Sequence, residues 1–257
     1  MGDSPRVSML DRTDLVGRLF FPRADETTKP SQAEDHYIQV EGASLHLRIH
    51  EAARGAGVVL LFHGNGEIVS DWNPAAGSFR ARGYRLAIVD YRGYGQSTGT
   101  PTIRTMLSDA GVVLDYVATH FEGPLIVMGR SLGSASAWEA MAKGKEAGRV
   151  RGVVIDSGFV DVEAFGKRRG VAPQDLEAED RLALDPLPKI AAVRCPALVL
   201  HGELDAAIHI QEAVRAYEAL KGEKRLVRLE GKGHNDLSYH PDYWSRLGVF
   251  MTQLAAD

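Results

Sequence analysis

Short runs of branched apolar residues alternate along the chain with longer segments of helical period, the pattern of a mainly parallel sheet joined by crossover helices. Five runs, Val58 to Phe62, Leu86 to Val89, Leu125 to Met128, Val153 to Ile155 and Leu198 to Leu200, are continuous apolar blocks of the kind buried on both faces. Tyr37 to Val40 and Leu45 to Ile49 instead alternate in and out across Glu41-Gly42 and predict an antiparallel hairpin, and Leu226 to Leu229 predicts the last strand. Met106, Ala110, Val113, Leu114 and Val117 share one helical face, as do Ile210, Val214 and Tyr217, and then Trp244, Leu247, Met251 and Leu254. The residues up to about Lys29 read as a polar leader. Residues 159–190 are mixed in charge and interrupted by Gly170, Pro173, Pro186 and Pro188, which predicts a small cap-like insertion over the sheet.

Composition narrows the function classes without changing the fold. With 44% hydrophobic and 25% charged side chains in 257 residues, one domain spanning 1–257 is the simplest account. A net charge of −4 offers no general attraction for nucleic acid or an anionic membrane, and the lone basic run Lys167-Arg168-Arg169 reads as solvated surface. Cys195 is the single cysteine, so no intramolecular disulfide and no cysteine cluster for a metal is expected, which fits a reducing compartment. Met1 to Asp14 carries acidic residues and no apolar run of signal-peptide length, and no long uncharged apolar run occurs anywhere in the sequence. The expectation is a cytoplasmic protein with no membrane anchor and no nucleic-acid partner.

The strongest chemical signal is Gly129-Arg130-Ser131-Leu132-Gly133, placed after the strand ending at Met128 and before a small-residue helix containing Ala135, Ala137 and Ala140. A serine on a sharp strand-to-helix turn needs neighbours without bulk two residues to either side, and Gly129 and Gly133 meet that need. The turn would expose the Ser131 hydroxyl and put the Leu132 N–H at a helix N-terminus, where it can donate to a developing oxyanion. A second donor is expected from His63-Gly64-Asn65-Gly66-Glu67, with the Asn65 N–H as the candidate. His63 reads as a structural residue of that loop, and Glu67 as an entrance residue able to favour a cationic group.

A serine at its ordinary pKa is a poor nucleophile, so a base and an orienting acid are required. In the chain order serine, acid, histidine, Asp205 follows the strand at Leu198 to Leu200 and His234 follows the strand at Leu226 to Leu229. Both stand at carboxyl strand ends, the ligand-binding edge of such sheets. Glu203 is the competing acid. His240, before Pro241, reads as a helix-entry residue, and His201 and His209 as loop residues. Ser97 and Ser157 are not expected to be nucleophiles, Ser157 being at most a pocket residue.

Taken together, His63-Gly64-Asn65-Gly66, Asp90 to Ser97, Gly129 to Ser134, His201 to Asp205 and Gly231 to His234 resemble the α/β-hydrolase superfamily. More narrowly they are similar to the serine hydrolases that include Bem46-like proteins, serine aminopeptidase-like hydrolases and eukaryotic protein depalmitoylases. The resemblance spans roughly Tyr37 to the C-terminus. It implies the α/β-hydrolase fold and acyl chemistry, while Gly66 and Ala206-Ala207-Ile208 depart from the common pattern and bear on pocket shape, with Ile208 a pocket candidate. Phe159, Val160 and Phe165 in the insertion are further candidates for an apolar substrate pocket. No dinucleotide fingerprint, phosphate loop, HExxH pair or calcium loop is present, so catalysis without a cofactor or metal is expected. The expected substrate is a small-molecule carboxylic ester or acyl thioester. A peptidase and a catalytically silent ligand-binding module are the competing readings.

Overall fold

The computed structural model describes residues 8–171 and 178–255. Eight strands, β1 (Ala33–Val40), β2 (Ala43–His50), β3 (Gly57–Phe62), β4 (Tyr84–Val89), β5 (Leu125–Arg130), β6 (Val150–Asp156), β7 (Ala197–Gly202) and β8 (Lys224–Leu229), form one sheet in the order 1-2-4-3-5-6-7-8. The β1–β2 hairpin and the β2–β4 pair are antiparallel, and every pairing from β4 to β8 is parallel.

The helices are α1 (Val16–Leu19), α2 (Ala76–Arg80), α3 (Ile103–His120), α4 (Gly133–Lys143), α5 (Val162–Arg168), α6 (Ala178–Leu184), α7 (Leu187–Ala192), α8 (Ile210–Ala219) and α9 (Pro241–Ala255). The pleat of the central strands feeds two hydrophobic layers. Leu60 and Phe62 join the layer that includes α3, α4 and α8, whereas Val59 and Leu61 join the layer that includes α2 and α9. Burial on both faces is why these strands read as unbroken apolar blocks.

Two expectations need correction. β2 does not alternate between core and solvent, because Leu45, His46, Leu47, Arg48 and Ile49 are all buried. The polar members tolerate burial through pairing: Arg48 donates to both Asp35 oxygens at 2.7 and 3.0 Å, and the His46 ring lies 3.1 Å from Asp90 and 3.2 Å from Asp35. On α8 the buried residues are Ala213 and Ala216, while Ile210, Val214 and Tyr217 are half-buried flanks. Small alanines let the helix approach the sheet closely. The insertion contains α5, α6 and α7 between β6 and β7. Residues 172–177 within it, Pro173 among them, lie outside the described residues, as do residues 1–7 of the leader.

Candidate active site

β5 ends one residue before Ser131, whose φ of 50° lies in the left-handed region that costs an L-residue about 1–3 kcal/mol. Surrounding hydrogen bonds hold it there. The Ser131 N–H donates to the Asp156 carbonyl at 2.9 Å, and the Ser131 carbonyl accepts from the Ser134 N–H at 3.0 Å and its hydroxyl at 2.7 Å. The two flanking glycines are required by contact: a Cβ on Gly129 would come within 2.6 Å of the Gly133 carbonyl, and one on Gly133 would collide with the Phe62 carbonyl.

The loops after β7 and β8 bring Asp205 and His234 to this turn. His234 Nε2 lies 2.9 Å from Ser131 Oγ, and His234 Nδ1 lies 2.8 Å from Asp205 Oδ2. Nδ1–H therefore donates to the carboxylate and Nε2 accepts from the hydroxyl, the tautomer that this pair of partners selects. Asp205 is buried, and its other oxygen accepts the Ala207 and Ile208 N–H groups at 2.9 and 2.8 Å. Burial pushes its carboxyl up, but hydrogen bonds from His201, His234 and the Ile208 backbone outweigh this and hold it well below the ordinary aspartate range.

Two residues have roles other than those expected. His201 is fully buried, with Nε2 2.7 Å from the Ile208 carbonyl and 3.3 Å from Asp205, so it braces the acid as well as the loop. Ile208 is buried beneath that loop and does not line the apolar pocket. Glu203 stands exposed. Ser97 donates to the Asp90 carbonyl and accepts from the His46 N–H, both at 2.8 Å, inside the fold.

The loop after β3 lies on the other side of Ser131. Among the described residues neither the Asn65 nor the Leu132 backbone N–H donates to a protein acceptor. Both ends of the Asn65 side chain are engaged: its Oδ1 accepts from the Phe21 N–H at 2.9 Å and the Tyr94 hydroxyl at 2.7 Å, and its Nδ2 donates to the Leu19 carbonyl at 2.8 Å. His63 is fully buried with Nδ1 2.8 Å from the Gly64 carbonyl. Glu67 is half-buried and lines the cleft beside His234, with its charge already paired. It pairs with Arg130 at 2.5 Å and accepts from the Gly64 N–H at 2.8 Å and Trp72 Nε1 at 3.1 Å. Arg130 also donates to the His234 carbonyl at 3.2 Å and Asn235 Oδ1 at 2.8 Å, so one guanidinium ties the β3, β5 and β8 loops together. Sequence reasoning passed over Arg130, although its place beside Ser131 was the available signal.

Two cavities flank these residues. An apolar cavity of about 60 Å³ is walled by Leu132 and Ala135 near the turn and by Phe159 and Phe165, whose rings stack at 4.5 Å. Val160 is not part of its lining: the side chain is buried in the core and the N–H donates to Glu212 at 2.8 Å. Met9, Leu19 and Phe20 from the leader complete the wall, against the expectation of a purely polar leader. A larger cleft of about 550 Å³, of mixed polar and apolar lining, lies against His234, Arg130, Glu67, Asp156 and Trp72. Burial pushes the Asp156 carboxyl above the ordinary range, opposed by nearby Arg130 and by hydrogen bonds from Tyr243 and Ser157. Among the described residues no group of three His, Cys, Asp or Glu could hold a metal, and no helix is long and apolar enough to cross a membrane.

A family model described as serine aminopeptidase, S33 (Hydrolase_4) matches residues 53–183, a span that includes Ser131. YfhR of Escherichia coli, an uncharacterised protein, is 27% identical over 68% of this chain and 61% of its own length. The α/β-hydrolase domain-containing protein aho-3 of Caenorhabditis elegans is 28% identical over 65% of this chain and 48% of its own length. The chain thus spans less than two thirds of either relative. Among solved structures, the Pyrococcus furiosus esterase Pf2001 superposes with a TM-score of 0.73 at 19% identity, covering 90% of this chain and 95% of its own. Est1E of Butyrivibrio proteoclasticus, solved with ferulic acid bound, gives 0.67 at 18% identity, covering 85% and 96%. These likenesses carry the fold, and the family match carries the assignment: the chain belongs to the serine aminopeptidase S33 family of α/β-hydrolases.

Proposed function

We propose that this hydrolase is a single-domain serine esterase or thioesterase of the cytoplasm, with Ser131, His234 and Asp205 as its catalytic triad. The observation that carries the reading is the hydrogen-bonded line from Asp205 through His234 to Ser131, 2.8 and 2.9 Å, ending on a hydroxyl held at positive φ. In the reaction, Ser131 Oγ attacks the carbonyl carbon as His234 Nε2 takes its proton, while the Asn65 and Leu132 N–H groups receive the oxyanion. Collapse of that intermediate breaks the bond to the leaving alcohol or thiol, which departs with the proton from His234. Water, deprotonated by the same imidazole, then attacks the acyl-enzyme, and the acid is released as Ser131 regains its proton. Asp205 holds the tautomer and stabilises the imidazolium.

An acyl ester or thioester suits the apolar cavity beside Leu132. An aminopeptidase would need a carboxylate for the substrate ammonium, and Glu67, the candidate for that role, is already paired with Arg130. Cys195 is no rival nucleophile, since burial pushes its thiol up to about 11. Purified protein should label with a fluorophosphonate and hydrolyse p-nitrophenyl esters or acyl thioesters, and Ser131→Ala and His234→Ala should abolish labelling. Turnover confined to aminoacyl-anilides would reject the ester reading, and labelling that survives Ser131→Ala would reject the nucleophile.

A further inference from the structure

The segment before β1 crosses the apolar cavity and is tied down at both ends. At one end the Asn65 side chain holds the Leu19 carbonyl and the Phe21 N–H, and Arg23 Nε donates to the Gly66 carbonyl at 2.8 Å. At the other, buried Asp180 on α6 accepts from the Ser8 hydroxyl at 2.6 Å and the Met9 N–H at 3.2 Å. Arg104 on α3 pairs with Asp11 at 2.6 Å, and the Arg169 guanidinium lies over the Phe21 ring at 4.9 Å and the Phe165 ring at 5.4 Å. Between these anchors Met9, Leu19 and Phe20 are 2%, 5% and 2% exposed and face the cavity.

Buried acceptors and a committed asparagine are costly to supply for a loose tail, so the segment is a built wall. Its direction follows from its anchors. Leu19 and Phe20 adjoin the Asn65 loop, which carries the proposed oxyanion donor, whereas Met9 is fastened to α6 and lines the cavity with Met106 and Leu107 of α3. Where one water needs about 10–15 Å³, a cavity of about 60 Å³ holds only a few carbon-sized groups.

We propose that this N-terminal strap, residues 8–23, is the specificity-determining wall of the acyl pocket, with Met9 closing the end remote from the nucleophile and Phe20 bounding the chain beside the oxyanion loop. The enzyme accordingly prefers short, unbranched acyl groups, and the strap residues set the length limit. This inference rests on Ser131 being the acylated residue.

The test is a ladder of p-nitrophenyl esters, acetyl to dodecanoyl, run on the full chain and on Met9→Ala, Phe20→Ala, Met9→Phe and Asp180→Ala, with fluorophosphonate labelling of each. The wild-type optimum is expected near butanoyl. Met9→Ala, Phe20→Ala and Asp180→Ala should raise the octanoyl-to-butanoyl ratio of kcat/KM about tenfold, since one methylene in a fitted pocket is worth about that much or more. Met9→Phe should lower it by a similar factor. Labelling that runs to completion reports an intact nucleophile in each variant. Unchanged ratios in both Met9 variants, with labelling intact, would overturn the strap's role and leave the Ser131 reading standing. A wild-type protein that neither labels nor hydrolyses any ester would remove that reading and the strap proposal with it.

Discussion

Ser131 and Ser157 occupy matching places at the carboxyl ends of neighbouring strands, β5 and β6, with φ of 50° and 51°. Each donates its N–H to a carbonyl of the next strand, Ser131 to Asp156 at 2.9 Å and Ser157 to Leu200 at 3.0 Å. Their hydroxyls differ. Ser131 Oγ meets the imidazole of His234, whereas Ser157 is fully buried and donates to the Asp156 carboxyl at 3.0 Å. Positive φ is thus a property of how these strand ends turn into the layer above. A base within hydrogen-bond reach is what distinguishes Ser131 from Ser157, and it supports the proposed role of Ser131 alone.

The largest expected effect separates the two hydroxyls directly. Ser131→Ala should lower kcat on a butanoyl ester by about 10⁴-fold or more, as removal of a triad serine does elsewhere, while Ser157→Ala should stay within about threefold by initial rates. An equal loss in both variants would erase the distinction.

A middling effect concerns the acids whose carboxyls are shifted by burial and by their partners. Asp205, and likewise Asp35 and Asp90, have carboxyls held below the ordinary range despite burial, by hydrogen bonds and charges from His201 and His234, from Arg48 and His46, and from His46 and His63 respectively. A depressed acid adds stability that is full above the unfolded value of about 4 and is lost as pH falls through the folded value. The thermal midpoint should therefore drop steeply below about pH 4. Asp156 is raised, chiefly by burial, so its ionisation opposes folding above about pH 4. Asp156→Asn should match or exceed the wild-type midpoint at pH 7, with that advantage vanishing near pH 3. A midpoint several degrees lower at pH 7 would show that the charge on Asp156 is needed, as a partner for Arg130.

The smallest effect reads the strain itself. Ser131→Gly should stabilise the protein by about 1 kcal/mol in denaturant melts, because glycine adopts positive φ freely. Ser157→Gly should gain less, since it also gives up the hydroxyl's bond to Asp156, worth about 1 kcal/mol.

Much of this was legible beforehand where local pattern and physical need coincide. The parallel strands appear as apolar blocks because both faces are covered, and the elbow is readable because only glycine fits at 129 and 133. The proposed acid and histidine follow from strand ends taken in order. Legibility fails where a residue's partner is remote in sequence. His46 and Arg48 look like solvent positions until Asp35 and Asp90 are beside them. Glu67 looks like a free ligand group until Arg130 reaches it, and Val160 and Ile208 look like pocket residues until their side chains are seen buried away from the apolar cavity. The leader looked polar because its apolar residues are scattered between charges, and only the insertion and α3 supply the surface they cover.

By itself, then, the sequence determined the sheet, its order of chemistry-bearing loops and the serine turn, since periodicity, glycine geometry and chain order are local properties. Tertiary structure alone decided which polar groups are spent on one another, as Glu67 is on Arg130, and that Met9, Leu19 and Phe20 of the leader help to wall the pocket. Those outcomes depend on distances between segments far apart in the chain, and no local pattern encodes them.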